Sequence, residues 1–200
     1  MMKNEQLIVG LTGMSGAGKS TVCSVFADNG FEIIDCDKCA REVTQPGRPA
    51  LPELSERLSP ELIRPDGTLD RRRTAELIFN DPEKRWLFNK IIYPYITYNI
   101  LGKLRQGGKC VLLDAPTLFE ARLELLCDKI ISVTANNSLC AERITKRDNI
   151  PLSLAQARLN SQHSAEFYCE RSDICIENNG SREQLLHEAE KAALMLKGEQ

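Results

Sequence analysis

The chain has 200 residues, 42% of them apolar and 27% charged, and a formal net charge of −2. That is enough chain to bury one good core with a subdomain insert, and the charge balance excludes a general attraction to nucleic acid or to an acidic membrane surface. No apolar run approaches the roughly eighteen residues of a membrane span. Met1 to Gln6 is too polar and short for a signal peptide, so the expected location is cytoplasmic.

Taken in order, Leu7-Ile8-Val9-Gly10-Leu11 reads as a buried strand, and Val22, Val25 and Phe26 recur at helical spacing beyond it. Between them stands Gly13-Met14-Ser15-Gly16-Ala17-Gly18-Lys19-Ser20, followed by Thr21. This is G-x-x-x-x-G-K-S in the strand–loop–helix setting that a phosphate-binding loop requires. Gly13, Gly16 and Gly18 let the backbone approach a polyphosphate without a side chain in the way. The N–H groups of Ser15 to Thr21, with the helix N-terminus, make a concave anion site. Lys19 is expected to neutralise the β- and γ-phosphates of a nucleoside triphosphate, and the Ser20 hydroxyl to reach Mg2+.

Asn29-Gly30 stops the first helix, and Phe31-Glu32-Ile33-Ile34 is a short strand ending in Asp35-Cys36-Asp37. One carboxylate there reads as a loop cap. Two, delivered by a strand end in an α/β protein, read as a site, because ligands bind at that edge of a parallel sheet. A short helix through Lys38 to Val43 is broken by Gln45-Pro46-Gly47-Arg48-Pro49. The next stretch is helical and polar-faced with no strand, interrupted by a turn at Pro65-Asp66-Gly67. Asp81-Pro82-Glu83 starts a helix with a capping carboxylate and a proline at the first helical position. Trp86, Leu87, Ile91 and Ile92 are expected to form its packed face, and Arg71-Arg72-Arg73 a solvated one.

Cys110 to Leu113 is a buried strand ending at Asp114, a carboxylate placed to face a magnesium ion, and Ala115 to Glu120 turns into a helix. Lys129 to Val133 is a fourth strand. The following helix carries Arg143 and Arg147, four apart on one face. Ser153-Leu154-Ala155-Gln156 reads as a capping-box start for a helix carrying Arg158. Asp173 to Ile176 is the last strand and Asn178-Asn179-Gly180 a turn. Ser181 caps a final helix buried through Leu185, Leu186, Ala189, Ala192, Ala193 and Leu196.

The eight cysteines include one C-x-x-C pair, Cys36 and Cys39, with no second pair to complete a zinc site. The thiols read as reduced, small packing residues.

The fold class that follows is α/β: a three-layer, parallel five-stranded sheet of the P-loop nucleoside-triphosphate hydrolase/kinase type, with a helical substrate-binding insert and a helical lid. The core is expected at about 5–48 and 107–197, the insert at about 49–106 and the lid at about 140–165. No N-K-x-D guanine motif is present, since Asn89-Lys90-Ile91-Ile92 lacks the acid. Phosphoryl transfer needs an acceptor hydroxyl in line with the γ-phosphate, charge neutralisation, and exclusion of water. Asp35 and Asp37 suit the first need, and the lid arginines Arg143 and Arg147 the other two.

These segments resemble the dephospho-coenzyme A kinase family over nearly the whole chain. Gly10 to Gly13 running into Gly16 to Thr21 is similar to the family's opening, and Ile34-Asp35-Cys36-Asp37 with Ala40-Arg41 to its D-x-D-x-x-A-R segment. Asp114 to Glu120, Arg143-x-x-x-Arg147-Asp148, Arg158 to Gln162, and Asp173 through Gly180 match as well. The resemblance implies transfer of the ATP γ-phosphate to the ribose 3′-hydroxyl of dephospho-CoA. Asp37 is then the general base or the group that orients the hydroxyl, with Asp35 as the alternative. Asp37, Arg41, Asp114 and Pro116 face the substrate, the insert holds the rest of it, and Asn178 to Gly180 lie near the adenine of ATP. Where the family shows His-Pro, this chain has Tyr93-Pro94, and no catalytic role is assigned to Tyr93. A monomer or weak homo-oligomer is expected. The alternatives are a kinase acting on another small hydroxyl compound, such as a nucleoside, and a non-catalytic ATP-binding regulator.

Overall fold

A computed structural model describes residues 6–79 and 81–198. By packing, the chain divides into two compact units, residues 1–34 with 107–200, and residues 35–106.

The first unit is built on β1 (Leu7–Gly13), β2 (Glu32–Asp35, its last residue already in the second unit), β3 (Cys110–Asp114), β4 (Lys129–Thr134) and β5 (Ile174–Glu177). Their order is β2-β3-β1-β4-β5 in one parallel sheet. In β1, Val9 to Gly13 are all buried, odd and even positions alike. A strand covered on both faces belongs at the centre of a parallel sheet, which explains its near-continuous apolar run. Two aspartates fix the strand starts. Asp128 accepts the N–H of Ile8 at 2.7 Å, and Asp173 that of Ile130 at 2.8 Å.

Around the sheet lie α1 (Lys19–Asp28), α6 (Asn137–Asp148), α7 (Leu152–Asn160), α8 (Ala165–Glu170) and α9 (Arg182–Lys197). Val22 and Phe26 of α1 and Ala189 and Ala193 of α9 are buried in the same core. Small alanines on α9 let the two helices approach closely. The Ser181 cap of α9 is present as a reciprocal capping box with Gln184.

The second unit comprises α2 (Cys36–Val43), α3 (Ala50–Arg57), α4 (Arg71–Phe79) and α5 (Pro82–Gln106). Glu42 takes the ammonium of Lys103 at 2.8 Å and the amide of Asn99 at 3.3 Å, tying α2 to α5. Tyr95 donates to Glu53 at 2.7 Å, tying α5 to α3.

Four local expectations are corrected. Trp86 does not pack: it is 61% exposed, with the Lys90 ammonium 4.6 Å from the ring centre. It lies five residues from the buried Ile91, roughly 140° around the helix. Ser153 caps nothing. The helix begins at Leu152 after Pro151, whose fixed φ suits that flank and which has no N–H to satisfy. Residues 116–122 form successive turns rather than a helix, and a 3-10 turn, Leu123–Leu126, follows Arg122 at φ +56. Finally, Cys169 and Cys175, whose Cα atoms are 5.1 Å apart, are joined as a disulfide rather than standing as separate thiols.

Candidate active site

The loop between β1 and α1 is shaped by its glycines. At Gly13, φ is +127, and a Cβ would stand 2.1 Å from the carbonyl oxygen of Val133 in β4. No other residue type fits there. Gly18, at φ +109, opens α1, and a Cβ on it would meet Nδ2 of Asn178 at 2.7 Å. The loop closes through Met14 N–H on Val133 O (3.1 Å) and Ala17 N–H on Met14 O (3.2 Å). The N–H groups of Gly16, Gly18 and Ser20 take no backbone partner among the described residues. Such a cluster at a helix start is what an anion binds. The Lys19 ammonium lies against the carbonyls of Gly13 (2.9 Å) and Met14 (2.8 Å), so its charge is held at the loop itself. Ser20 is exposed on the first turn of α1, and Thr21 donates its N–H to Gly18 O at 3.0 Å.

Several distant residues converge on this loop. Asn178, at the end of β5, is buried, and its side chain donates to Ala17 O at 2.7 Å. Arg143 donates to Asn178 O at 3.2 and 3.3 Å and reaches Gly16 O at 3.5 Å. Asp114 is aligned with Leu11 of β1, and Thr12 donates to Pro116 O at 3.4 Å. The end of β3 thus lies beside the strand that delivers the loop. Ser20 and Asp114 offer a hydroxyl and a carboxylate, the oxygen donors that magnesium prefers. No group of three or more His, Cys, Asp or Glu able to hold a metal occurs among the described residues. A cation carried mainly by phosphate oxygens needs none.

One predicted site residue is engaged elsewhere. Arg147 pairs with Asp148 through two hydrogen bonds, at 2.7 and 2.9 Å, and Arg158 of α7 reaches the same carboxylate at 2.6 Å. The Arg147 guanidinium holds the Asp148 carboxyl down to about 2, with Arg158 adding to the effect. Gly180 precedes the capping box of α9, and a Cβ there would stand 1.8 Å from Gln184 Oε1, the movable end of a side chain that would have to shift.

In the second unit, the side chain of Asp35 caps α2, accepting the N–H of Lys38 at 2.8 Å. Cys36, Cys39 and Val43 turn inward from α2, while Asp37 and Arg41 share its exposed face at i, i+4. The C-x-x-C thiols are therefore packing groups, and burial pushes the Cys39 thiol up.

One residue the sequence left without a role also meets the loop. Gln162, just past α7, accepts the N–H of Ser15 at 3.0 Å from 147 positions away. The only sign of it in the sequence is its place in the Arg158 to Gln162 segment.

A parallel five-stranded sheet of this order, with a glycine-shaped loop and a lysine at the head of the first helix, defines a P-loop kinase fold. The sequence profile of the dephospho-CoA kinase family matches residues 7–184. A dephospho-CoA kinase of Enterococcus faecalis is 35% identical over 187 residues, 92% of this chain and 94% of that protein. The solved dephospho-CoA kinase from Campylobacter jejuni superposes with a TM-score of 0.71 at 28% identity, each chain covered completely. A solved protein of Thermus thermophilus reaches 0.83 at 30% identity, covering 96% of this chain and 97% of its own. The chain belongs to the dephospho-CoA kinase family.

Proposed function

We propose that this chain transfers the γ-phosphate of ATP to the 3′-hydroxyl of dephospho-CoA, giving coenzyme A and ADP. The observation that carries this reading is the phosphate loop, with Lys19 held against it, in a chain that matches the family from residue 7 to residue 184.

The roles follow from the chemistry of phosphoryl transfer, in which positioning and charge neutralisation do most of the work. The loop amides and Lys19 bind the β- and γ-phosphates. Ser20 and Asp114 are the residues that would hold magnesium, which supplies neutralisation of the phosphate charge when bound. Asp37, on the exposed face of α2, accepts the proton of the attacking hydroxyl. Arg41, one turn on, steadies Asp37 or takes a substrate phosphate. Asp35 keeps α2 in place through its cap. Arg143 adds positive charge beside Gly16. Arg147 is the arginine that a lid of about residues 140–165 delivers over the triphosphate, with Asp148 as its resting partner. Asn178 serves the loop, with any contact to the adenine made by the turn it begins. No helix among the described residues is long and apolar enough to cross a membrane.

The test is ADP release by purified protein with ATP, magnesium and dephospho-CoA, run beside a panel of nucleosides. Turnover is expected with dephospho-CoA and not with the panel. The reverse pattern overturns the assignment.

A further inference from the structure

The peptide unit joining Met14 to Ser15 is held at both ends. Its carbonyl receives the Lys19 ammonium at 2.8 Å, and its N–H donates to Oε1 of Gln162 at 3.0 Å. In a trans peptide the C=O and N–H point in opposite directions, so the two side chains grip one rigid plane from opposite sides. An N–H bonds only to the oxygen of a carboxamide, which fixes which end of the Gln162 amide faces the loop.

Gln162 is itself firmly placed. It follows the end of α7, where its own N–H donates to Leu159 O at 3.1 Å. The ring of the next residue, His163, stacks on Phe167 at 3.7 Å between centres, and Ser164 caps α8. Without an acceptor for the Ser15 N–H, the Met14–Ser15 plane is held only through its carbonyl, which also accepts the Ala17 N–H at 3.2 Å, and its grip on the lysine loosens.

We infer that Gln162 is a positioning residue for phosphate binding: by accepting the Ser15 N–H it sets the Met14–Ser15 peptide so that the Met14 carbonyl holds the Lys19 ammonium at the loop. It does not touch the nucleotide and acts through Lys19. The inference rests on the nucleotide-binding reading of the loop, which MgATP binding to the wild-type protein tests independently.

Action through another residue predicts non-additivity. The experiment is a double-mutant cycle on MgATP dissociation constants, measured by titration calorimetry for wild type, Gln162→Leu, Lys19→Met and the double variant. Gln162→Leu is expected to weaken binding about three- to tenfold in the wild-type background, the range of one ordinary hydrogen bond. In the Lys19→Met background it is expected to change binding by less than about twofold. A fold that simply loosens would weaken binding alike in both backgrounds, so the cycle separates that case from lost acceptance. Equal weakening in both backgrounds, or no weakening in the wild-type background, overturns the inference. Failure of the wild-type protein to bind MgATP instead removes the reading on which it rests.

Discussion

The side-chain amide of Asn178 donates to the carbonyl of Ala17 at 2.7 Å, joining the end of β5 to the middle of the phosphate loop. The same residue's carbonyl receives Arg143, so loop, strand end and arginine form one connected set. Asn178→Ala leaves a buried carbonyl without its donor, a loss of about 1–3 kcal/mol. For a chain of this size each kcal/mol corresponds to a melting shift of about 2–4 °C. Thermal scanning should show that drop, with weaker MgATP binding alongside. A variant as stable as the parent, with the parent's affinity, contradicts the clamp.

Asp37→Asn tests the acceptor side. It removes the proton acceptor and leaves the helix face and the phosphate loop intact. Transfer is expected to fall about 10²- to 10⁴-fold, with MgATP affinity nearly unchanged. Asp35→Asn should behave differently, because an asparagine oxygen still caps a helix; it is expected to keep most of the activity. If the two variants lost activity equally, the division of roles between cap and base would be wrong.

The Asp148 pairings predict a pH dependence. Its carboxyl is held at about 2 by Arg147 and then Arg158, against an ordinary value of 3.8. A depressed folded-state value means stability that is fully present above the ordinary value and lost as pH falls from there through about 2. The melting-temperature difference between wild type and Asp148→Asn should therefore be flat from neutral pH down to about 4 and close toward pH 2. A difference that already closes between pH 7 and pH 5 rules the carboxylate out as its source. The carboxylate is half-buried but its arginine partners are exposed, so the difference is expected to be small and to shrink with salt.

What the sequence made legible was local. Gly13 to Ser20 fixes the loop because each glycine answers a backbone demand that sits within eight residues. The strands were readable because their apolar runs are short and bounded by aspartates and glycines. Contacts that close over long separations were not readable in the same way. Nothing near Gln162 says that it meets Ser15, and nothing near Asn178 says that it meets Ala17. Trp86 shows the limit of composition, since a run of large apolar residues looks alike whichever of them faces in; the 3.6-residue period turns Trp86 away from Ile91 and Ile92. Ser153 suits a cap by its side chain, but the helix starts earlier, at Leu152 directly after Pro151. Asp35 shows the reverse difficulty: a carboxylate at a strand end is equally a cap and a ligand, and its hydrogen bond to Lys38 supplies the first role.

The central claim is that the Gly13 to Ser20 loop holds ATP for attack by one hydroxyl, the ribose 3′-OH of dephospho-CoA. The most direct measurement is ADP release with dephospho-CoA and with its 3′-deoxy counterpart, with the products weighed by mass spectrometry. The prediction is one ADP for each dephospho-CoA converted to a 3′-phosphorylated product, and no release above background with the deoxy compound. Equal ADP release with both compounds, or turnover found only with other acceptors, would contradict it.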